Sequence, residues 1–245
     1  MTGNPTLNEN TFTDLAPART GDAMTVQGAV NKTAIALLLV VVSASYTWQL
    51  YFSGNVAAVS SWMIGGGIGG FIVAMITTFK SRWSPVTVPI YAVLEGLFLG
   101  AVSSTFEGRM PGVVIQAVML TFGTLAALLA AYKTGLLKAT GTFRRGVIAA
   151  TGGIALVYLV SMILGFFHIQ IPGIFGHGLV GIGFSLFVVV LAAMNLVLDF
   201  DFIEHGAQSS APKYMEWYAA FGLLVTLVWL YLEILRLLSK LNRRN

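Results

Sequence analysis

The chain has 245 residues, of which 56% are hydrophobic and only 10% are charged, and its mean hydropathy is +0.81. Soluble domains usually carry about 25% charged residues, so this composition predicts an integral membrane protein whose main partner is the lipid bilayer. The absence of cysteine excludes disulfides, thiolate nucleophiles and cysteine-based metal sites. The formal charge of +4 comes from short loops beside apolar runs, which is typical of a protein facing anionic lipid and not nucleic acid.

Residues 1–31 precede the first apolar run. They are rich in Thr, Asn, Pro and Gly and lack apolar periodicity, which predicts a disordered polar tail. No signal peptide is evident, because the first apolar run starts only after Lys32 and is long enough to span a membrane. Residues 32–245 are therefore predicted to form one transmembrane domain.

Seven apolar runs follow, each close to the roughly 20 residues that a helix needs to cross the hydrocarbon core. The sequence therefore predicts an all-α integral membrane protein. The predicted spans are 33–52, 56–79, 85 or 86–106, 113–132, 147–167, 179–203 and 218–238.

Glycines mark two of these spans as closely packed. The second span carries a glycine-rich run at 65–70, and the third carries Gly96 and Gly100 one turn apart. Such pairs let helix backbones approach closely. We favour packing over a phosphate-cradling loop, because no phosphate-loop lysine follows the run at 65–70.

The positions of short-loop lysines and arginines predict the orientation. The tail and the even-numbered loops hold nine basic residues, whereas the odd-numbered loops hold only Arg109, which places the amino terminus in the cytoplasm. Seven spans then put the carboxyl end outside, although that end is also basic. Either the last helix crosses despite its charge, which we favour, or it re-enters and six segments cross. The nine residues are Arg19, Lys32, Lys80, Arg82, Lys133, Lys138, Arg144, Arg145 and Lys213.

Polar side chains from three spans are predicted to converge in the cytoplasmic half. At about 1.5 Å of rise per residue, Glu95 lies roughly 14 Å, Thr226 roughly 12 Å and Asp199 roughly 6 to 9 Å from that face. An ionisable group at membrane depth is by default a hypothesis of function, which makes Asp199 and Glu95 the leading candidates. Asn195 lies one turn before Asp199 and is predicted to donate an amide hydrogen bond to it. The alternative for both acids is a structural hydrogen bond between helices.

The remaining acids have simpler predicted roles. Asp201, Glu204 and Glu216 are expected to be solvated at the interface, with Asp201 a secondary candidate for the site. Glu233, also a secondary candidate, is expected to form a local ion pair with Arg236 one turn later.

Enzyme functions find little support. The histidines, His168, His177 and His205, are all predicted to lie in loops, and no two show metal-ligand spacing, so neither a metal site nor a bound cofactor is expected. A serine protease would need a histidine at the depth of Ser185, and an aspartyl protease would need a second Asp facing Asp199. We therefore predict that the protein is not an enzyme.

Two motifs resemble the last two helices of the Bax inhibitor-1/YccA family. They are the segment from FSLF at 184–187 through LDFDFI at 198–203, and the ending LYLEILRLL at 230–238. This resemblance implies six helices around a central seventh in a bacterial inner membrane. It also implies a pH-sensitive calcium leak controlled by facing aspartates on the sixth and seventh helices, and it implies that some relatives associate with the membrane-bound FtsH protease.

The resemblance is incomplete at the second aspartate. The sixth-helix acid matches Asp199, but Thr226 stands where the seventh-helix acid is expected. Two facing carboxyl groups would titrate as a coupled pair, and a carboxyl group facing a hydroxyl would not. Whether Glu95 supplies the missing carboxylate is left open by the sequence.

Two functional hypotheses follow. In the first, Asp199, alone or with Glu95, closes the cytoplasmic side of a cation-permeable bundle when protonated and admits or transiently binds a cation such as calcium when ionised. In the second, the protein transports nothing and regulates a membrane protease through its tail and its basic fourth loop.

Overall fold

The computed structural model describes residues 23–167, 176 and 178–242. These residues form an all-α protein, and seven of its helices are long and apolar enough to cross a membrane, as the sequence predicts. The helices are α1 (Val26–Phe52), α2 (Val56–Phe79), α3 (Ser84–Arg109), α4 (Val113–Lys133), α5 (Gly141–Phe166), α6 (Leu179–Gln208) and α7 (Met215–Asn242).

Several helices extend beyond their predicted apolar runs. α1 begins at Val26, where the Thr25 hydroxyl caps the helix by accepting from Gly28 N. Residues 26–31 are therefore helical, and the prediction that they belong to the disordered tail is wrong. Residues 1–22 lie outside the described residues. α5 likewise begins at Gly141 with Thr140 as its cap. Hydropathy detects only the part of a helix that hydrocarbon covers, whereas side-chain caps set where the helix begins.

α6 also extends further than predicted, to Gln208. His205, predicted to lie in a loop, is therefore helical, while His168 and His177 fall outside the described residues. α7 is one unbroken helix of 28 residues, and its most apolar stretch is 67% buried, against 11% for that of α5.

The chain divides into two compact units, each described by itself. Unit A consists of the described residues among 23–114 and 201–225, and unit B of those among 115–200 and 226–242. α6 and α7 each contribute to both units.

Unit A is built on close backbone contacts. α3 packs against α1 and α2. A methyl group on Gly96 would overlap Ser43 and the Val40 backbone of α1, and one on Gly100 would overlap the Ala44 backbone. On α2, a methyl group on Gly66 would crowd the α3 backbone. The predicted role of these glycines in helix packing is confirmed.

Unit B is packed through larger side chains. Its core joins α5 to α6 and is surrounded by Tyr158, Phe184 and Trp229, among others. The ammonium group of Lys240 on α7 is buried and donates hydrogen bonds to Gly181 O and Ser185 Oγ of α6, both at 2.9 Å. The core residues are Val147, Ile154, Val188, Leu191 and Leu198.

Candidate functional site

Asp199 lies in the most enclosed part of α6. Its side chain is 1% exposed, and every residue from 195 to 203 is buried. A helix has side chains on all sides within two turns, so α6 presents no face to lipid at this level. The structure thus holds this carboxyl group away from lipid, as expected for a functional acid in a membrane-spanning helix.

The register between α6 and α7 places Thr226 at the level of Asp199. Lys240 Nζ lies 2.9 Å from Ser185 Oγ, which aligns these two residues on antiparallel helices. Asp199 follows Ser185 by as many positions as Thr226 precedes Lys240, about 21 Å along each helix at 1.5 Å per residue. Thr226 is 3% exposed. Its hydroxyl therefore lies within about one helical turn of the carboxyl level, the position that the seventh-helix acid was expected to occupy.

Asn195 is buried but has other partners than predicted. Its amide nitrogen donates to Thr151 Oγ1 on α5 and to the Leu191 carbonyl, each at 2.9 Å. Both amide hydrogens are used by these bonds, so the predicted donation to Asp199 is wrong. Asn195 and Asp199 do lie one turn apart on α6, but the Asn195 amide donates instead to the Thr151 hydroxyl of α5 and to the Leu191 carbonyl one turn earlier.

Glu95 is buried in unit A, where 9% of the residue is exposed. Its carboxyl group interacts with the Tyr91 hydroxyl one turn earlier on α3. It also faces Gly70 of α2, where an added methyl group would stand 3.2 Å from Glu95 Oε2. Its burial at membrane depth agrees with the sequence analysis. That Glu95 replaces the missing aspartate stays a prediction.

Two of the three acids expected to be solvated are buried. Asp201 is 7% exposed, and its Oδ2 lies 3.5 Å from Nδ1 of His205, one turn later on α6. Glu216 is 2% exposed and accepts hydrogen bonds from Thr25. Only Glu204 is exposed. The prediction failed because depth along a helix says nothing about neighbouring segments that fold over its end.

Glu233 forms the predicted ion pair and one further bond. Arg236 Nη1 lies 2.8 Å from Glu233 Oε1, which confirms the pair. The Tyr158 hydroxyl of α5 donates to the same oxygen at 2.8 Å and accepts from Arg236 Nη1 at 2.7 Å. This network joins α5 to α7 within unit B. A carboxylate buried at 2% exposure requires such partners.

Sequence reasoning missed the side chains that answer these polar groups from other helices. Thr151 and Tyr158 were missed because a single polar residue in an apolar span does not reveal which side chain of another helix it contacts. Lys240 could have been noticed, since its spacing from Glu233 places both residues on one face of α7. Among the described residues, no group of three or more His, Asp or Glu side chains is arranged to hold a metal ion.

Comparison with models of protein families matches residues 4–243 to the family described as Bax inhibitor 1 like. No curated protein and no solved structure matches the chain. The match covers both motifs on α6 and α7 as well as the five helices before them.

Proposed function

The chain belongs to the Bax inhibitor-1-like family, and from that premise we propose that this multi-pass membrane protein conducts a pH-sensitive leak of cations, calcium among them, controlled by the Asp199 carboxyl group. The membrane concerned is the bacterial inner membrane, with the amino terminus in the cytoplasm, as the family resemblance and the loop charges imply.

The burial of Asp199 is the observation that carries this proposal. A charged acid in a membrane-spanning helix is costly, up to ~2.5–3.5 kcal/mol on insertion scales at the bilayer centre and less towards the interface. Packing alone does not require that cost, because a neutral side chain of similar size fills the same volume. Asp199 lies in a stretch of α6 that is buried on every side, so its charge acts within the protein and not on lipid headgroups.

The chemistry around Asp199 suits a passing ion better than a resident one. Calcium takes 6 to 8 oxygen ligands in a stable site. No group of three or more acidic or histidine side chains is arranged to hold a metal ion in the part of the chain that the structure describes, so we expect a cation to bind weakly and leave readily. Conduction requires that binding be favourable enough for entry and weak enough for exit.

Protonation provides the closed state. A neutral carboxyl group carries no charge with which to attract a cation. The apolar core of unit B includes Leu198, the residue next to Asp199 on α6. We therefore expect the leak to decrease as the pH falls and to increase as Asp199 ionises.

Calcium entry into proteoliposomes loaded with an indicator dye tests the proposal. Asp199→Asn keeps the side-chain shape and removes the charge, so the flux should fall about tenfold or more, the equivalent of ~1.4 kcal/mol or more of lost cation attraction. The variant should also lose its pH dependence. Glu204→Gln is the matched control, because it neutralises an exposed acid on the same helix and should leave the flux unchanged. Equal calcium flux through Asp199→Asn and wild type would show that Asp199 does not gate the leak.

Restoring the second acid provides a gain-of-function test. Thr226→Asp would place a carboxyl group at the level of Asp199, and two such groups release their protons in coupled steps. The pH profile of calcium flux should therefore spread over a wider range than in wild type. Thr226→Asn is the control for size and polarity. A profile identical to wild type would show that position 226 does not face the carboxyl group that gates the leak.

A second candidate function is regulation of a membrane protease without transport. The connection between α4 and α5 favours it, since Lys138 is exposed and Leu136 is 81% exposed there. Basic groups on a loop provide charge complementarity for an acidic partner surface, and Leu136 would add apolar contact area. Leu136→Ser should then weaken co-purification of a membrane protease while leaving calcium flux unchanged, and intact co-purification would count against this function.

A further inference from the structure

The residues just before α1, together with the first turn of α1, are bound to the turn between α6 and α7. We call residues 23–28 the strap and residues 209–214 the turn. Met24 N donates to Ala211 O at 2.6 Å, and Ala23 and Pro212 form an isolated antiparallel bridge. Met24 and Ala211 are both buried. The strap is thus docked on the turn by its backbone, within unit A.

A buried acid at the start of α7 provides the second attachment. Glu216 Oε1 accepts from Thr25 N at 3.2 Å and from Thr25 Oγ1 at 3.1 Å. The same hydroxyl accepts from Gly28 N at 2.9 Å, which caps α1. Thr25 therefore joins the start of α1 to the start of α7. The Glu216 carboxylate, at 2% exposure, is covered by the strap and is not available to water or headgroups.

Gly28 makes this close approach feasible. An added methyl group at Gly28 would overlap the Glu216 carboxyl carbon and both of its oxygens. The absence of a side chain is therefore required for the carboxylate to lie against the first turn of α1. A Gly28→Ala side chain must therefore push the Glu216 carboxylate and the strap apart.

The turn contains a residue with an energetically unfavourable backbone conformation. Ser210 adopts a positive φ of 52°, a conformation that residues other than glycine adopt at an energetic cost. Such residues persist where the surroundings hold them in place. The surroundings here are the strap on one side and the Ser84 hydroxyl of α3, which donates to Tyr214 O at 2.9 Å, on the other.

We propose that the strap is a regulatory restraint: its docking on Ala211 and Glu216 holds the turn in place, and its release loosens the turn and increases the cation leak. The turn connects α6 to α7, the helices that carry Asp199 and Thr226. Loosening it allows the two helices to shift along each other. The part of this inference that concerns the leak rests on the proposed function, and the part that concerns the turn does not.

Hydrogen exchange measured by mass spectrometry on the full chain in lipid nanodiscs tests the structural part. Gly28→Ala should increase exchange of the Met24 amide and of the turn amides about tenfold, the equivalent of ~1.4 kcal/mol of lost docking. Gly65→Ala is the matched control, because Gly65 lies in α2 of the same unit and an added methyl group meets nothing within 4 Å. If the amides of the turn exchange as slowly in Gly28→Ala as in wild type, the proposal is overturned.

Glu216→Ala removes the carboxylate that accepts the hydrogen bonds from Thr25, and so breaks the same contact from the α7 side. This variant tests the proposal if Gly28→Ala folds poorly. It should increase exchange of the turn to a similar extent. The double variant should show no further increase, because both changes break one contact and such effects are not additive. Effects that multiply in the double variant would mean that the two residues act at separate places, which contradicts a single strap contact.

Calcium flux from the same preparations separates the two proposals. A wild-type chain that admits no calcium would refute the proposed function, and the exchange data would still decide whether the strap holds the turn. A leaking wild type with a Gly28→Ala variant that leaks several-fold faster supports both. If that variant loosens the turn but its flux equals wild type, the strap does not regulate the leak.

Discussion

Unit A and unit B hold their helices together by different means. In unit A, glycines bring α3 directly against the backbones of α1 and α2. In unit B, a methyl group added at Gly123, Gly152 or Gly153 would meet no neighbouring helix within 4 Å, and the helices are joined by an apolar core with hydrogen bonds between side chains. Close-packed backbones leave no room for added atoms, so we expect the α1–α3 packing of unit A to tolerate added side-chain volume less than unit B does.

Gly96→Ala should have the largest effect on stability, because its methyl group meets the α1 backbone at Val40, which cannot move aside as a flexible side chain would. Overpacking of this kind typically costs about 1–3 kcal/mol, and we expect the upper part of that range. The free energy of unfolding in detergent micelles measures it. Gly153→Ala in unit B is the control, and a loss of stability as large as that of Gly96→Ala would contradict the difference between the units.

Tyr158→Phe should have an intermediate effect. It removes the hydroxyl that donates to Glu233 and accepts from Arg236, and hydrogen bonds to charged groups contribute about 1.5–3 kcal/mol. Because the Arg236 side chain is 40% exposed, water replaces part of the lost interaction, and we expect about 1 kcal/mol. Tyr46→Phe, at a residue 49% exposed, should change the same unfolding free energy little. Equal effects from the two tyrosines would show that the network does not stabilise unit B.

The seven spans could be predicted because crossing a membrane requires a long apolar helix, and the runs are visible one by one. The beginnings of α1 and α5 could not be predicted from hydropathy, because Thr25 and Thr140 set them by accepting hydrogen bonds from the first helical turn. The close-packing glycines of α3 could also be predicted, because their spacing places both on one face.

The candidate site was only partly predictable. Asp199 was found because an acid in an apolar helix is costly wherever it lies. The partners of Asn195 and Glu233 were missed because Thr151 and Tyr158 belong to another helix and have no special spacing of their own. Glu216 was assigned to solvent since its cover comes from the opposite end of the chain, where hydropathy indicated only a polar tail.

The pH dependence of calcium entry through Asp199→Asn shows whether Asp199 is the group that gates the leak. We expect the wild-type and Glu204→Gln proteins to leak faster as the pH rises, and Asp199→Asn to show a low flux at every pH. A variant whose flux still rises with pH as steeply as that of wild type would contradict it, because the titrating group would then be another one.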